Sequence, residues 1–451
     1  VKPTAIAETR IMTVIGLPLI FAYLADVLMV LTTKMVVGRL GAVELAAAGI
    51  STDLAYQMCI VLMGFFSVVG VLVAGARGAG RPEAIVPELL RGLLLAGVLG
   101  LMVTAIVLNL DGLLRYTGQD PEVIRLSQEY YTAFAYAVLP IIWFGVLRSF
   151  AAAMMKTGFV LAITVAAVAL NYVLMQGLVH GQFGLPRLGI AGAGLAWAIT
   201  TWLKVLCLGG HIFLLIRRQG LPLGRVAAAL DLKAYLPLVR LGLPVAGIVA
   251  MEIGLFAVTA LLSGAMGAAQ LAAYQIVMGW ISVPFVISLG FSEAAMVRVA
   301  YFAGARDQAA ARQAGHLGMA VGVAVPLLLV LIPVFAPGQL MRVFLDPADP
   351  LYGQIAALVA TLLLIGAVFQ VFDSLQVIAS HVLRGLKDAV VPMVIAAIGY
   401  WAVGLGGAYV LGFALGWGAP GLWWGLAMGL AFTAALLAWR FELLSRRQFS
   451  M

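Results

Sequence analysis

The chain has 451 residues, 64% of them hydrophobic and only 10% charged, with a mean hydropathy of +1.09. Soluble domains carry about a quarter of their residues as charged side chains, so this composition excludes a water-soluble fold and indicates an integral membrane protein. The net charge of +8 would suit a nucleic-acid partner, but the basic residues cluster at the connections between apolar runs, and none is expected.

Crossing the hydrocarbon layer takes about 20 apolar residues, which leaves room for a dozen spans. Apolar runs between charged or turn-rich breaks place them near 11–37, 46–75, 88–110, 130–154, 158–178 and 189–216, then near 236–263, 271–303, 315–337, 352–382, 389–412 and 419–443. The first run keeps a carboxylate, Asp26, and lacks a small-residue cleavage pattern, so it reads as a retained span rather than a signal peptide. Gly and Pro interrupt many runs, as in packed and bent membrane helices. Cys59 and Cys207 both fall within apolar runs and suggest neither a disulfide nor a thiolate metal site.

Shifted by 226 residues, the sequence overlies itself: Gly16-Leu17-Pro18 meets Gly242-Leu243-Pro244, and Leu45-Ala46-Ala47 meets Leu271-Ala272-Ala273. Eighteen of the 66 ungapped pairs between 15–80 and 241–306 are identical, and Asp26 falls on Glu252. This is a duplicated unit of six spans. An even number of spans makes the halves enter the membrane in the same direction, as parallel repeats related by an axis along the membrane normal, and a cleft between them is expected. Assigned to alternating sides, the loop-proximal Lys and Arg divide twenty against five, a positive-inside bias that puts both termini and the central basic connection in the cytoplasm. The expected organisation is a six-helix lobe over 1–217, a cytoplasmic linker over 218–234 and a second six-helix lobe over 235–451.

The pattern resembles the multidrug and toxic compound extrusion family, bacterial norfloxacin-efflux type. The residues that carry the resemblance are Gly38-Arg39-Leu40-Gly41-Ala42, Gly242-Leu243-Pro244 leading to Glu252, and Leu271-Ala272-Ala273-Tyr274-Gln275. Others are Ser292-Glu293-Ala294-Ala295 with Arg298-Val299, and above all Phe372-Asp373-Ser374-Leu375-Gln376 running into Leu383-Arg384-Gly385-Leu386-Lys387-Asp388 and Pro392. The resemblance implies an all-α membrane protein of twelve helices in two lobes around a V-shaped central cleft. It further implies a bacterial inner-membrane antiporter that exports small organic cations of amphipathic character in exchange for protons or sodium ions, acts as a monomer in the lipid bilayer and needs no cofactor. The chain departs from the family in its first half, where Thr33 and Lys34 stand in place of the usual acid, and in Lys204 at the middle of the sixth span.

Intramembrane charges carry the chemistry. A charge deep in an apolar helix costs on the order of 2.5–3.5 kcal/mol on insertion scales and persists where it faces a cavity or a partner. Glu252 and Asp373 are therefore candidates for cation coupling, through a shared proton or as oxygen ligands of a sodium ion; the competing reading makes each a protonated carboxyl bonded to a neighbouring helix. Gln370, Ser374 and Gln376 form a polar stripe with Asp373, which also suits helix association through amides. Asp26 is a third coupling candidate, with Lys34, Asp53 and Lys204 open as partners and a salt bridge to Asp26 or Asp53 favoured for Lys204. Candidates for a substrate cavity are Thr33, Tyr136, Phe256, Tyr274, Gln275, Phe369, Gln370 and Gln376, although most Trp and Tyr in such proteins anchor spans at the interface.

No phosphate-cradling Gly-rich loop is present, so transport has to draw on ion gradients. A flippase for a lipid-linked compound would call for several basic residues in the central spans, where Lys204 stands alone. An intramembrane enzyme would need a metal or nucleophile cluster, whereas His180, His211, His316 and His381 fall in separate segments.

Overall fold

The computed structural model describes residues 4–222, 231–335, 337–344 and 350–446. Residues 223–230 of the expected linker lie outside these. Twelve helices are long and apolar enough to cross a membrane: α1 Ala5–Val37, α2 Ala42–Gly78, α3 Pro82–Tyr116, α4 Pro121–Ala153, α5 Gly158–His180, α6 Ile190–Arg218, α7 Leu232–Ala265, α8 Ala268–Gly304, α9 Gln308–Phe335, α10 Tyr352–Gly385, α11 Val390–Ala414 and α12 Ala419–Arg446. A short helix, Pro337–Phe344, lies between α9 and α10. Each corresponds to a span expected from the apolar runs, and the helices overrun those runs where capping chemistry extends them. Helix α4 begins at Pro121 because Asp120 caps it, accepting from the Glu122 amide at 2.8 Å, with proline at the first helical position where no amide is needed. Its first turns, carrying Glu122, Arg125 and Glu129, are too polar to register as part of an apolar run.

The described chain divides into two compact units. The first unit comprises residues 21–242 and the second residues 1–20 with 243–451. The expected boundary near 218–234 falls close to the second division, but α1 is itself divided after Ile20, two residues past its internal Pro18. Two features tie the start of α1 to the second unit. Glu8 receives a bidentate pair of hydrogen bonds from Arg298 on α8, at 2.6 and 2.7 Å, with both side chains buried. Gly16 approaches Gly290 so closely that a Cβ on it would lie 3.3 Å from the Gly290 carbonyl oxygen, the kind of contact through which small residues bring membrane helices together.

The core of the first unit stacks Tyr130 on Phe134 at 5.4 Å between ring centroids, with Trp197 edge-on to Phe134 at 5.8 Å. The second unit centres on Trp423, which meets Phe369 at 5.3 Å and Tyr274 at 5.8 Å. Helix α11 is wound as a π-helix over Ile398–Leu405 and again over Val410–Ala414, and α12 packs against it through Gly425, where a Cβ would collide with the backbone of Gly407 and Ala408. Stretches of π-helix often mark functional positions. Tyr400 lies within the first of them.

Three arginines that the sequence places at cytoplasmic helix ends are buried: Arg148, Arg298 and Arg384. Arg148 and Arg298 serve as ion-pair partners within the units. Without all three the basic bias remains seventeen against five.

Candidate functional site

In the second unit, α7 contributes Glu252, α10 contributes Gln370, Asp373, Ser374 and Gln376, and α11 contributes Tyr400. Helical spacing of three to four residues puts Gln370, Asp373 or Ser374, and Gln376 on one face of α10. Gln376 is the centre of the group. Its amide Nε2 donates to Glu252 Oε1 at 3.4 Å and to Asp373 Oδ1 at 3.5 Å, while its carbonyl Oε1 accepts from the Tyr400 hydroxyl at 2.6 Å. One turn earlier, Gln370 Nε2 donates to Ser374 Oγ at 2.9 Å, and Ser374 Oγ lies 2.8 Å from Ser288 Oγ on α8. Asp373, Gln370, Ser374, Gln376 and Tyr400 are all buried, and Glu252 is half-buried.

Among the described residues neither Glu252 nor Asp373 is in an ion pair; the hydrogen bonds they accept come from a neutral amide. The donors that reach the two carboxyl groups are weak, at 3.4 and 3.5 Å. The Gln370 carbonyl oxygen is buried and without a hydrogen-bond partner, an orphaned acceptor that a buried site ordinarily avoids. Oxygen from two carboxylates, amides and hydroxyls is the donor set a hard cation takes, so the residues present fit a sodium ion as well as a shared proton.

The first unit is arranged oppositely. Asp26 on α1 accepts from Lys204 Nζ of α6 at 2.9 Å through Oδ1 and from Arg148 Nη1 of α4 at 3.2 Å through Oδ2. Arg148 lies over the Tyr23 ring at 4.2 Å, and Lys204 over the Phe144 ring at 4.2 Å. Lys204 thus meets Asp26, one of the two partners expected for it, while Asp53 is taken by Lys34 at 2.9 Å on a partly exposed face. Thr33 is buried and accepts from Trp197 Nε1 at 2.9 Å.

The expected cavity residues scatter. Tyr274 and Phe369 are fully packed in the core of the second unit, Tyr274 donating to the Phe256 carbonyl at 3.3 Å and Phe369 meeting Phe256 at 6.3 Å. Here they act as core rather than lining, because the rings of Trp423 and Phe256 fill the space around them. Gln275 and Tyr136 are exposed. Sequence reasoning missed Tyr400, which looked like another aromatic in an apolar span, and Arg148, assigned to a helix end.

The MatE family model matches residues 18–175 and 244–410, once over each repeat. The chain belongs to the MatE family. It is 38% identical over 428 residues to the multidrug resistance protein NorM of Burkholderia vietnamiensis, covering 94% of this chain and 92% of that one. It is 35% identical over 442 residues to the probable multidrug resistance protein NorM of Pseudomonas putida, covering 98% and 95%. Among solved structures, the Vibrio cholerae MATE transporter VcmN superposes with a TM-score of 0.88 at 17% identity over 99% of both chains. The eukaryotic MATE transporter AtDTX14 does so with a TM-score of 0.83 at 21% identity, over 99% of this chain and 100% of that one. At these identities the structures show a shared fold. The family's members are transporters rather than enzymes, and this chain is a multi-pass membrane protein of that kind.

Proposed function

We propose that the chain is a secondary multidrug exporter of the bacterial inner membrane, expelling small amphipathic organic cations in exchange for protons or sodium ions by alternating access. The observation that carries this reading is the pair Glu252 and Asp373, two intramembrane carboxylates linked through Gln376 and held by no cation among the described residues. An acid in that setting persists where it has a mobile positive charge to bind. The names of the NorM relatives support the multidrug part of the reading.

Entry of one proton or sodium ion releases about 2.3 kcal/mol per 100 mV of membrane potential, which drives the outward step if the same acids cannot hold the ion and the exported cation together. Reconstituted vesicles with ethidium and separately imposed proton and sodium gradients test both coupling and ion. Glu252→Gln and Asp373→Asn keep shape and hydrogen bonding but lose the charge, and each reduces gradient-driven efflux to background in correctly folded protein. Wild-type rates in both variants refute the coupling role. Both termini are cytoplasmic in this reading; labelling of a cysteine placed in the 217–240 connection from outside intact cells would overturn that orientation.

A further inference from the structure

In the second unit the start of α9 is held against the end of α12 in an antiparallel register. Gln308 Nε2 donates to the Ser445 carbonyl oxygen at 2.8 Å, Arg312 pairs with Glu442, and Gly315 lies so close to Phe441 that a Cβ on it would collide with the ring. Glu442 is where charges from both helices meet. Its Oε1 accepts from Arg312 Nη2 and from Arg446 Nε, the latter at 2.8 Å, and His316 Nε2 lies 3.0 Å from Oε2. One carboxylate thus serves two guanidiniums, which are charged at any working pH, and the group keeps a surplus positive charge. The neighbouring acids do not supply the difference. Asp388 is taken by Arg440 at 2.9 Å, and Asp307 caps α9 by accepting from the Ala310 amide at 2.9 Å. Over 306–316, 387–388 and 440–446, five Lys and Arg stand against three acids.

The surplus is accessible. The Arg446 side chain is 65% exposed and that of Arg312 40%, and a guanidinium has five N–H donors in a planar fork, of which Arg312 spends one on Glu442. An apolar face leads away from the pair. Along α12, Met428, Phe432, Trp439 and Leu443 are all exposed and share a face with Arg446, at helical intervals of three, four and seven residues. Trp439 stands near the end of its span, the depth at which tryptophan anchors membrane helices. Two guanidiniums gathered on one oxygen at the end of such a face match a molecule with one anionic head and hydrocarbon tails.

We propose that Arg312 and Arg446 form a headgroup site for one anionic phospholipid, whose phosphodiester takes both guanidiniums while an acyl chain lies along α12 past Trp439. Arginine forks suit phosphate oxygens, and basic sites between membrane helices recognise acidic lipid heads. The site is separate from the carboxylate pair, and its test needs no transport. Full-length chain in neutral detergent is titrated with phosphatidylglycerol and, separately, with phosphatidylcholine of the same chains, and bound lipid is counted by native mass spectrometry. The wild type is expected to bind one phosphatidylglycerol about tenfold or more tightly than phosphatidylcholine, and Arg312→Gln with Arg446→Gln removes that advantage. Glu442→Gln, which takes away the competing carboxylate, strengthens binding. Arg306→Gln with Lys387→Gln removes the same charge outside the pair and leaves binding within about twofold of the wild type. Arg446→Gln alone, at an exposed position, weakens binding by a smaller factor and carries the test if the double variant does not fold.

The proposal is overturned if the Arg312→Gln and Arg446→Gln double variant, or Arg446→Gln where the double does not fold, binds phosphatidylglycerol as the wild type does. It is also overturned if the wild type does not distinguish the two lipids, or if Glu442→Gln binds more weakly. An equal loss in Arg306→Gln with Lys387→Gln would reduce the effect to general attraction by a basic face, and displacement of the lipid by inorganic phosphate at equal concentration would assign the site to free phosphate; either result refutes a lipid site.

Discussion

Asp26 and Glu252 occupy equivalent positions in the sequence repeat, yet the two units surround them with opposite chemistry. In the first unit a single acid is clasped by two cations of the chain. In the second, two acids share one neutral amide. Duplication supplied the same backbone twice, and the side chains differ: one half holds an acid between two cations, the other two acids with no ion-pair partner among the described residues. An acid whose oxygens are both held by tethered cations has little to offer a passing ion, so under the proposed exchange the coupling role falls to the second unit.

The sharpest way to break this comparison is to remove the acid in each half and compare stability. Asp26→Asn strands two buried cations, and removing one side of a buried ion cluster typically costs about 3–5 kcal/mol, read as a large loss of thermal stability in detergent. Lys204→Met is expected to be far milder, because Arg148 still holds Asp26. An Asp26→Asn variant as stable as the wild type would erase the contrast.

Next in size is Tyr400→Phe, which leaves the Gln376 carbonyl oxygen buried without its donor, a loss of about 1–3 kcal/mol. It also frees the amide that faces both acids, so a drop in coupled efflux should accompany the stability change. Glu252→Gln and Asp373→Asn strand no cation and keep their hydrogen-bonding shape, so their stability should stay within about 1 kcal/mol of the wild type. Melting temperatures falling as far as in Asp26→Asn would show an ion pair in the second unit. Smallest is Lys34→Ala: the Lys34–Asp53 pair is 35% and 49% exposed, and such pairs contribute roughly 0.2–1 kcal/mol, which a double-mutant cycle with Asp53→Asn measures.

The twelve spans were legible because a membrane demands long apolar runs whatever the tertiary contacts are. Glu252, Asp373 and Gln376 were legible for the converse reason: polar atoms deep in such runs need a cause. The Asp26–Lys204 pairing could be anticipated from cost alone, since Lys204 lies too far from either end of its helix to reach water. Arg148 was not, because an arginine five residues before the end of α4 reads as a loop anchor, and only burial and contact with Asp26, 122 residues away in sequence, reveal its place. Glu8 escaped for a similar reason. It precedes the first apolar run, and nothing local shows that α1 starts before it or that Arg298 receives it. Tyr400 depends on the π-helical winding of α11, a backbone feature with no distinct signature in an apolar stretch.

The Glu8–Arg298 contact also sets an order of assembly. The two residues are 290 positions apart, and at roughly 5–20 residues per second of synthesis the carboxylate waits on the order of 15–60 s for its guanidinium. During that interval residues 21–242 can enter the bilayer and close on themselves, while Glu8 in the opening turns of α1 still lacks Arg298. The second unit is completed only when the beginning of the chain is returned to it, so a protein cut in the central connection and expressed as two fragments would leave the later fragment without residues 1–20, and recovery would require the earlier fragment to supply them.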